Sequence, residues 1–168
     1  MFWTVFFFIL LLSGVVTVLA GNAGIVLPLV AIATFYFCMK GTVAKTLPWT
    51  VLMAALVDAA WMHRCPGTLL SVLLVTALTA LWRKFSDLGS WTSLASAAGW
   101  IAVAAWLGEF LAVLAGDLHP VGVWGFMGGF AKQLLWAEIF TPILVFSGER
   151  LLGKRLRVDE REAEGDEG

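Results

Sequence analysis

Between Phe2 and Ser147, charge is confined to the breaks between apolar runs, with four exceptions: Asp58, Glu109, Lys132 and Glu138. The first run, residues 2–20 (FWTVFFFILLLSGVVTVLA), has about the length needed to cross ~30 Å of hydrocarbon. It lacks a basic leader region and is followed at once by more apolar sequence, so it reads as a retained helix. Across the chain the apolar fraction is 60% and the mean hydropathy +0.89, against roughly 45–50% apolar for a soluble domain. A soluble chain of 168 residues has too much surface to hide that much apolar area. The reading is an all-α membrane protein with the lipid bilayer as its solvent.

Five further spans follow. The second covers about Ile25 to Met39, after the turn Gly21-Asn22-Ala23-Gly24, with Pro28 in its first turn. The third covers Leu47 to Met62, with Pro48 near its first helical position and Trp49 and Trp61 near its ends. His63-Arg64-Cys65-Pro66-Gly67 breaks it, and the fourth runs Thr68 to Trp82 before Arg83-Lys84. Spans two to four are near or below the usual ~17 residues, which suits either short helices in a compact bundle or a third and fourth segment dipping as a broken pair. The fifth covers Trp91 to Ala115 and carries small residues four apart: Ala95/Gly99, Ala98/Ala102 and Ala104/Gly108. The sixth covers Val123 to Ser147, with Gly125/Gly129 as a further small pair and Pro142 as a kink site. Residues 1–148 thus form one transmembrane domain. Residues 149–168 form a cytoplasmic tail, basic at Arg150, Lys154, Arg155 and Arg157, then acidic and disordered from Asp159.

Orientation follows from the cations. Six spans place Lys40, Lys45, Arg83, Lys84, Arg150, Lys154, Arg155, Arg157 and Arg161 on one side, and only Arg64 on the other. Both termini are expected in the cytoplasm. Cys38 and Cys65 then lie on opposite sides and read as packing residues, not a disulfide. No basic patch with interleaved aromatics points to nucleic acid.

The four charges within spans need partners, since a charge at membrane depth costs a few kcal/mol or more. At ~1.5 Å per residue, Glu109 and Lys132 fall at similar depth on adjacent antiparallel helices. They are expected to pair, with Asp58 joining if the third span packs on that hairpin. Glu138 is six residues from Lys132 and faces elsewhere, with a hydroxyl such as Thr76 or Thr79 as its partner. Asp58, Glu109, Lys132 and Glu138 are therefore the intramembrane polar cluster. It is either a structural lock or the lining of a cavity in the outer half of the bundle.

No catalytic machinery is legible. There is no Walker A loop, no H-E-x-x-H, no G-x-S-x-G and no G-x-G-x-x-G after a strand. His63 and His119 read as solvent-facing turn residues, with no metal or cofactor implied. Trp100, Trp106 and Trp136 lie mid-span and read as bundle filling.

The residues around Asp58 carry the one family pattern. Ala54-Ala55-Leu56-Val57-Asp58, then an apolar turn, Pro66-Gly67, and a long apolar helix from Thr68 to basic Lys84 resemble MreD, the bacterial rod-shape-determining membrane protein family. The resemblance implies a non-enzymatic scaffold of the cell-elongation machinery in the bacterial cytoplasmic membrane. It would bind an MreC-like single-span partner and, through it, the glycosyltransferase and transpeptidase of peptidoglycan synthesis. Gly125 and Gly129 are the helix-docking candidates. In its six-helix fold the family also resembles the substrate-capture subunits of energy-coupling-factor vitamin transporters, which gives the alternative function. Those subunits dock through an Ala-rich face of the first helix. Residues 2–20 offer only Ser13, Gly14 and Ala20 as small residues.

Overall fold

The structure, a computed structural model, describes residues 2–23, 25–60, 66–83, 91–115 and 123–165. Six helices occupy the apolar runs: α1 (Phe2–Asn22), α2 (Leu29–Lys40), α3 (Val43–Ala60), α4 (Gly67–Trp82), α5 (Trp91–Ala115) and α6 (Val123–Gly165). No strand occurs among the described residues. Helices α1, α3, α5 and the Met127–Arg150 part of α6 are long and apolar enough to cross a membrane, while α2 and α4 are shorter apolar helices. The chain is a multi-pass membrane protein.

Helix α2 organises the bundle. It is apolar all round, and ten of its twelve residues are buried, Tyr36 and Phe37 completely. It touches every other helix. Around it, α1 packs on α3, α3 on α4, α4 on α5, and α5 on α6, so the five outer helices form an arc with α1 and α6 at its ends. At twelve residues α2 is ~18 Å long, too short to span hydrocarbon alone. Its sheath of protein removes that requirement. Phe6 and Phe37 anchor α1 to α2 edge to face, with ring centroids 4.8 Å apart.

Small residues set how closely the helices approach. At Gly108 an added Cβ would lie 2.7 Å from the Ser71 amide nitrogen and 2.9 Å from the Gly67 carbonyl, so α4 lies directly on the α5 backbone there. The Ser71 hydroxyl crosses the same contact, donating to Gly67 O at 2.8 Å and Ala105 O at 3.1 Å. Ala98 and Ala102 are fully buried against Ala137 of α6. Ala95 and Gly99 differ: Ala95 is exposed, and nothing lies within 4 Å of a Cβ at Gly99. Of the three small pairs in α5, two are packing sites and one is not.

Several boundaries depart from the sequence reading. Helix α3 begins a turn earlier, at Val43, so Pro48 is inside it and not at its first position. Pro28 is the N-cap of α2, just outside it. Helix α6 continues to Gly165, through the basic segment and most of the acidic tail expected to be disordered. That stretch is rich in Leu, Arg, Lys and Glu, all good helix formers, and they extend the helix beyond the apolar part. Trp100 is half exposed and flanks an apolar lateral groove with Phe35, Leu78 and Trp82, so it does not fill the bundle. Cys38 is a buried free thiol 3.4 Å from the Thr46 hydroxyl. Cys65, Trp61, His63, His119 and Trp124 lie outside the residues whose side chains are described.

The α4–α5 contact is tested by paired glycine substitutions. Gly108→Ala is expected to destabilise the protein by ~1–3 kcal/mol, the usual cost of overpacking. Gly99→Ala should leave the unfolding midpoint in detergent unchanged.

Candidate functional site

At the end of the bundle where α3 stops and α4 starts, Asp58 solves two problems at once. Helix α4 follows Pro66, which supplies no side-chain cap, so its first amides lack acceptors. The Asp58 side chain, on the last turn of α3, takes them. Thr68 N–H donates to Oδ1 at 3.0 Å and Leu69 N–H to Oδ2 at 2.9 Å. The carboxylate thus sits on the positive end of the α4 dipole, worth roughly half an elementary charge. Its residue is only 5% exposed, and both of its oxygens are satisfied. This is an N-cap delivered from a neighbouring helix, and it explains a carboxylate in an apolar run.

A matching device closes α2. Arg83, just past the end of α4, donates from Nη1 to the carbonyls of Cys38 at 3.3 Å and Gly41 at 3.1 Å. It places a cation on the negative end of the α2 dipole. An ion pair between Lys40 and Glu149 ties the same end of α2 to α6. Both partners are more than a third exposed, so this pair adds little stability.

Glu109 lies beside the α4 start, where a Cβ on Gly67 would be 3.5 Å from its Cα. Its expected partner was Lys132. Instead, the neighbouring Gln133 reaches it, with Nε2 donating to Glu109 Oε1 at 2.8 Å. Gln133 is 2% exposed, whereas Lys132 points outward and is exposed. The physical reason is rotation: adjacent residues on a helix point ~100° apart, so equal depth does not mean equal face. Glu138 is also exposed. The hydroxyls proposed for it are used locally in α4, Thr76 bonding Val72 O at 2.8 Å and Thr79 bonding Val75 O at 2.6 Å.

The four-residue cluster therefore divides. Glu109 belongs to an inward polar set with Thr17, Thr68, Ser71 and Gln133, which together with apolar side chains of α2 line a chamber of about 20 Å³. Asp58 is inward too but outside that lining, bonded to the amides of Thr68 and Leu69. Sequence reasoning missed Gln133, although a stripe of small and polar residues on α6 marks it. Gln133, Ala137, Thr141, Val145 and Gly148 are all buried at spacings of four, four, four and three.

Lys132 and Glu138 lie instead on the exposed side of α6, six residues and so ~120° apart around the helix. Leu135, Ile139, Ile143 and Phe146 are exposed between and beyond them. Gly125 is exposed, nothing lies within 4 Å of a Cβ on Gly128, and on Gly129 it would meet only Trp106 at 4.0 Å. The docking candidates Gly125 and Gly129 are thus not tightly engaged within the chain. Among the described residues no group of three His, Cys, Asp or Glu side chains could hold a metal ion.

These features define a polytopic α-helical membrane protein with a small, partly open polar pocket at one end and a charged, uncovered helix face. No protein-family model, curated protein or solved structure matches the chain.

The cap is tested by Asp58→Ala. It should cost about 2 kcal/mol, the loss of a cap made by charged hydrogen bonds. Hydrogen exchange at the Thr68 and Leu69 amides should accelerate. Lys132→Leu should leave the unfolding midpoint unchanged in detergent, whereas Gln133→Leu should lower it, because only Gln133 holds Glu109.

Proposed function

We propose that this chain is a non-enzymatic membrane scaffold that docks a single-span partner on the uncovered face of α6, as the resemblance to the MreD family implies. The observation that carries the reading is the exposure of Lys132 and Glu138. Glu138 sits near the middle of the 24-residue apolar stretch Met127–Arg150. A charge there costs ~3 kcal/mol on insertion scales. Lys132 is nearer the end and can extend its ammonium toward the headgroups, but Glu138 cannot. A partner helix with polar groups at the right depths removes both costs.

The contrast with α1 sharpens this. The exposed side of α1 is Phe8, Leu11, Leu12, Val15 and Leu19, which suits lipid. Its small residues Ser13 and Gly14 are buried, and a Cβ on Gly14 would lie 2.5 Å from Met53 Sδ. The first helix therefore offers no small-residue face for docking a transporter module. The polar chamber of about 20 Å³ has room for one water-sized particle, not a vitamin. Both points weigh against the solute-capture alternative.

Charge also selects the kind of partner. A two-fold axis along the membrane normal would set Lys132 against Lys132 and Glu138 against Glu138 of a second copy. A different helix packed over Leu135, which lies midway between the two, with a carboxylate toward Lys132 on one flank and a donor roughly 9 Å further along toward Glu138 on the other, is complementary. An MreC-like coiled-coil protein, in turn bound to the wall-synthesis glycosyltransferase and transpeptidase, is the partner proposed. The bias of nine cations against one supports a bacterial inner-membrane protein with both termini in the cytoplasm.

Purification from native membranes in mild detergent should recover a single-span coiled-coil protein. The double substitution Lys132→Leu with Glu138→Leu should remove that partner while the chain stays folded. Recovery of an ATPase module instead, or retention of the coiled-coil protein by the double variant, would contradict the proposal.

A further inference from the structure

We infer that the chamber between Thr17, Glu109 and Gln133 is a binding site for one small monovalent cation of the sodium class. The inference rests on the bundle interior and is independent of the partner assigned to α6.

The chamber presents oxygen lone pairs. Thr17 Oγ1 and Gln133 Oε1 are both buried without a hydrogen-bond partner, on side chains 2% exposed, and both residues line it. Gln133 gives its amide Nε2 to Glu109, which fixes Oε1 as the free end of that side chain. The Ser71 hydroxyl hydrogen is committed to the Gly67 and Ala105 carbonyls, so this oxygen too can only accept. Buried oxygens of this kind cost free energy until something meets them.

Charge distinguishes the ligand. The Asp58 carboxylate is offset by the α4 N-terminus, with a donor on each oxygen. Glu109 has only the neutral Gln133 amide, and Lys132 is turned to the outside. A carboxylate held by one neutral donor in an apolar bundle lacks a counter-charge. A cation in the chamber would supply it and would coordinate the two orphaned oxygens at once. The donor set is all oxygen, with no imidazole or thiolate, which suits a hard cation. Only one carboxylate faces the space without its own partner charge, fewer than divalent sites recruit, so the match is to a monovalent ion. The volume of about 20 Å³ admits a single ion with water on its open side.

The test uses the full-length chain in detergent, with sodium chloride and choline chloride compared at equal ionic strength. Sodium should raise the unfolding temperature saturably, and choline should not. Thr17→Val, nearly isosteric, should weaken the sodium response several-fold, and Glu109→Gln should abolish it. Equilibrium dialysis of the wild-type chain with radioactive sodium should reach one ion per chain. Equal unfolding temperatures in the two salts, an unchanged response in Thr17→Val, or no retained sodium in dialysis would each overturn the inference, leaving water as the occupant.

Discussion

The bundle depends on helix ends that are finished by other helices. A short helix inside an apolar bundle cannot send its terminal amides and carbonyls to the headgroup water, and each unsatisfied group there costs several kcal/mol. Asp58 of α3 takes the first amides of α4, and Arg83 beyond α4 takes the last carbonyls of α2. Both charges gain a dipole of opposite sign, and both helices gain a cap. This is why α2 and α4 can be short and still hold the centre of the fold. Removing Asp58 would expose two amides and the start of α4, against which α5 packs through Gly108.

Much of this was legible in the sequence. The apolar runs located all six helices, the short second and fourth among them, because hydrophobicity along a chain is one-dimensional information. Asp58 stood out for the same reason. The partner choices were not legible, because they depend on which way a helix faces. Depth alone pairs Glu109 with Lys132, whereas the residue one step along, rotated by ~100°, is the true neighbour. Gln133 carries no charge to mark it, although its stripe through Ala137 and Thr141 is present in the spacing. Asp58 capping α4 across a ten-residue separation was likewise hidden. The acceptor is supplied from a different helix, so no local capping pattern announces it.

Dividing the polar residues by face changes what each can mean. The inward set gathers at the start of α4 beside a chamber the size of a water, and it speaks of stability and of a small ion. The outward pair on α6 is not consumed by the fold at all. In a membrane there is no hydrophobic force between helices, so exposed polar groups and small residues are what bring partners together. Helix α6 ends the arc of outer helices, with Gly125, Gly128 and Leu135 on the side that carries Lys132. At the other end of the arc, the exposed side chains of α1 between Phe7 and Leu19 are all bulky and apolar.

The central claim is that another protein covers this face of α6. A photo-crosslinking residue at Leu135, between Lys132 and Glu138, examined in native membranes, reads it directly. The account predicts a protein adduct of one defined mass from Leu135, and only lipid adducts from a matched probe at Leu11 on α1. Lipid adducts alone at both positions, or an adduct with the mass of a second copy, would contradict it.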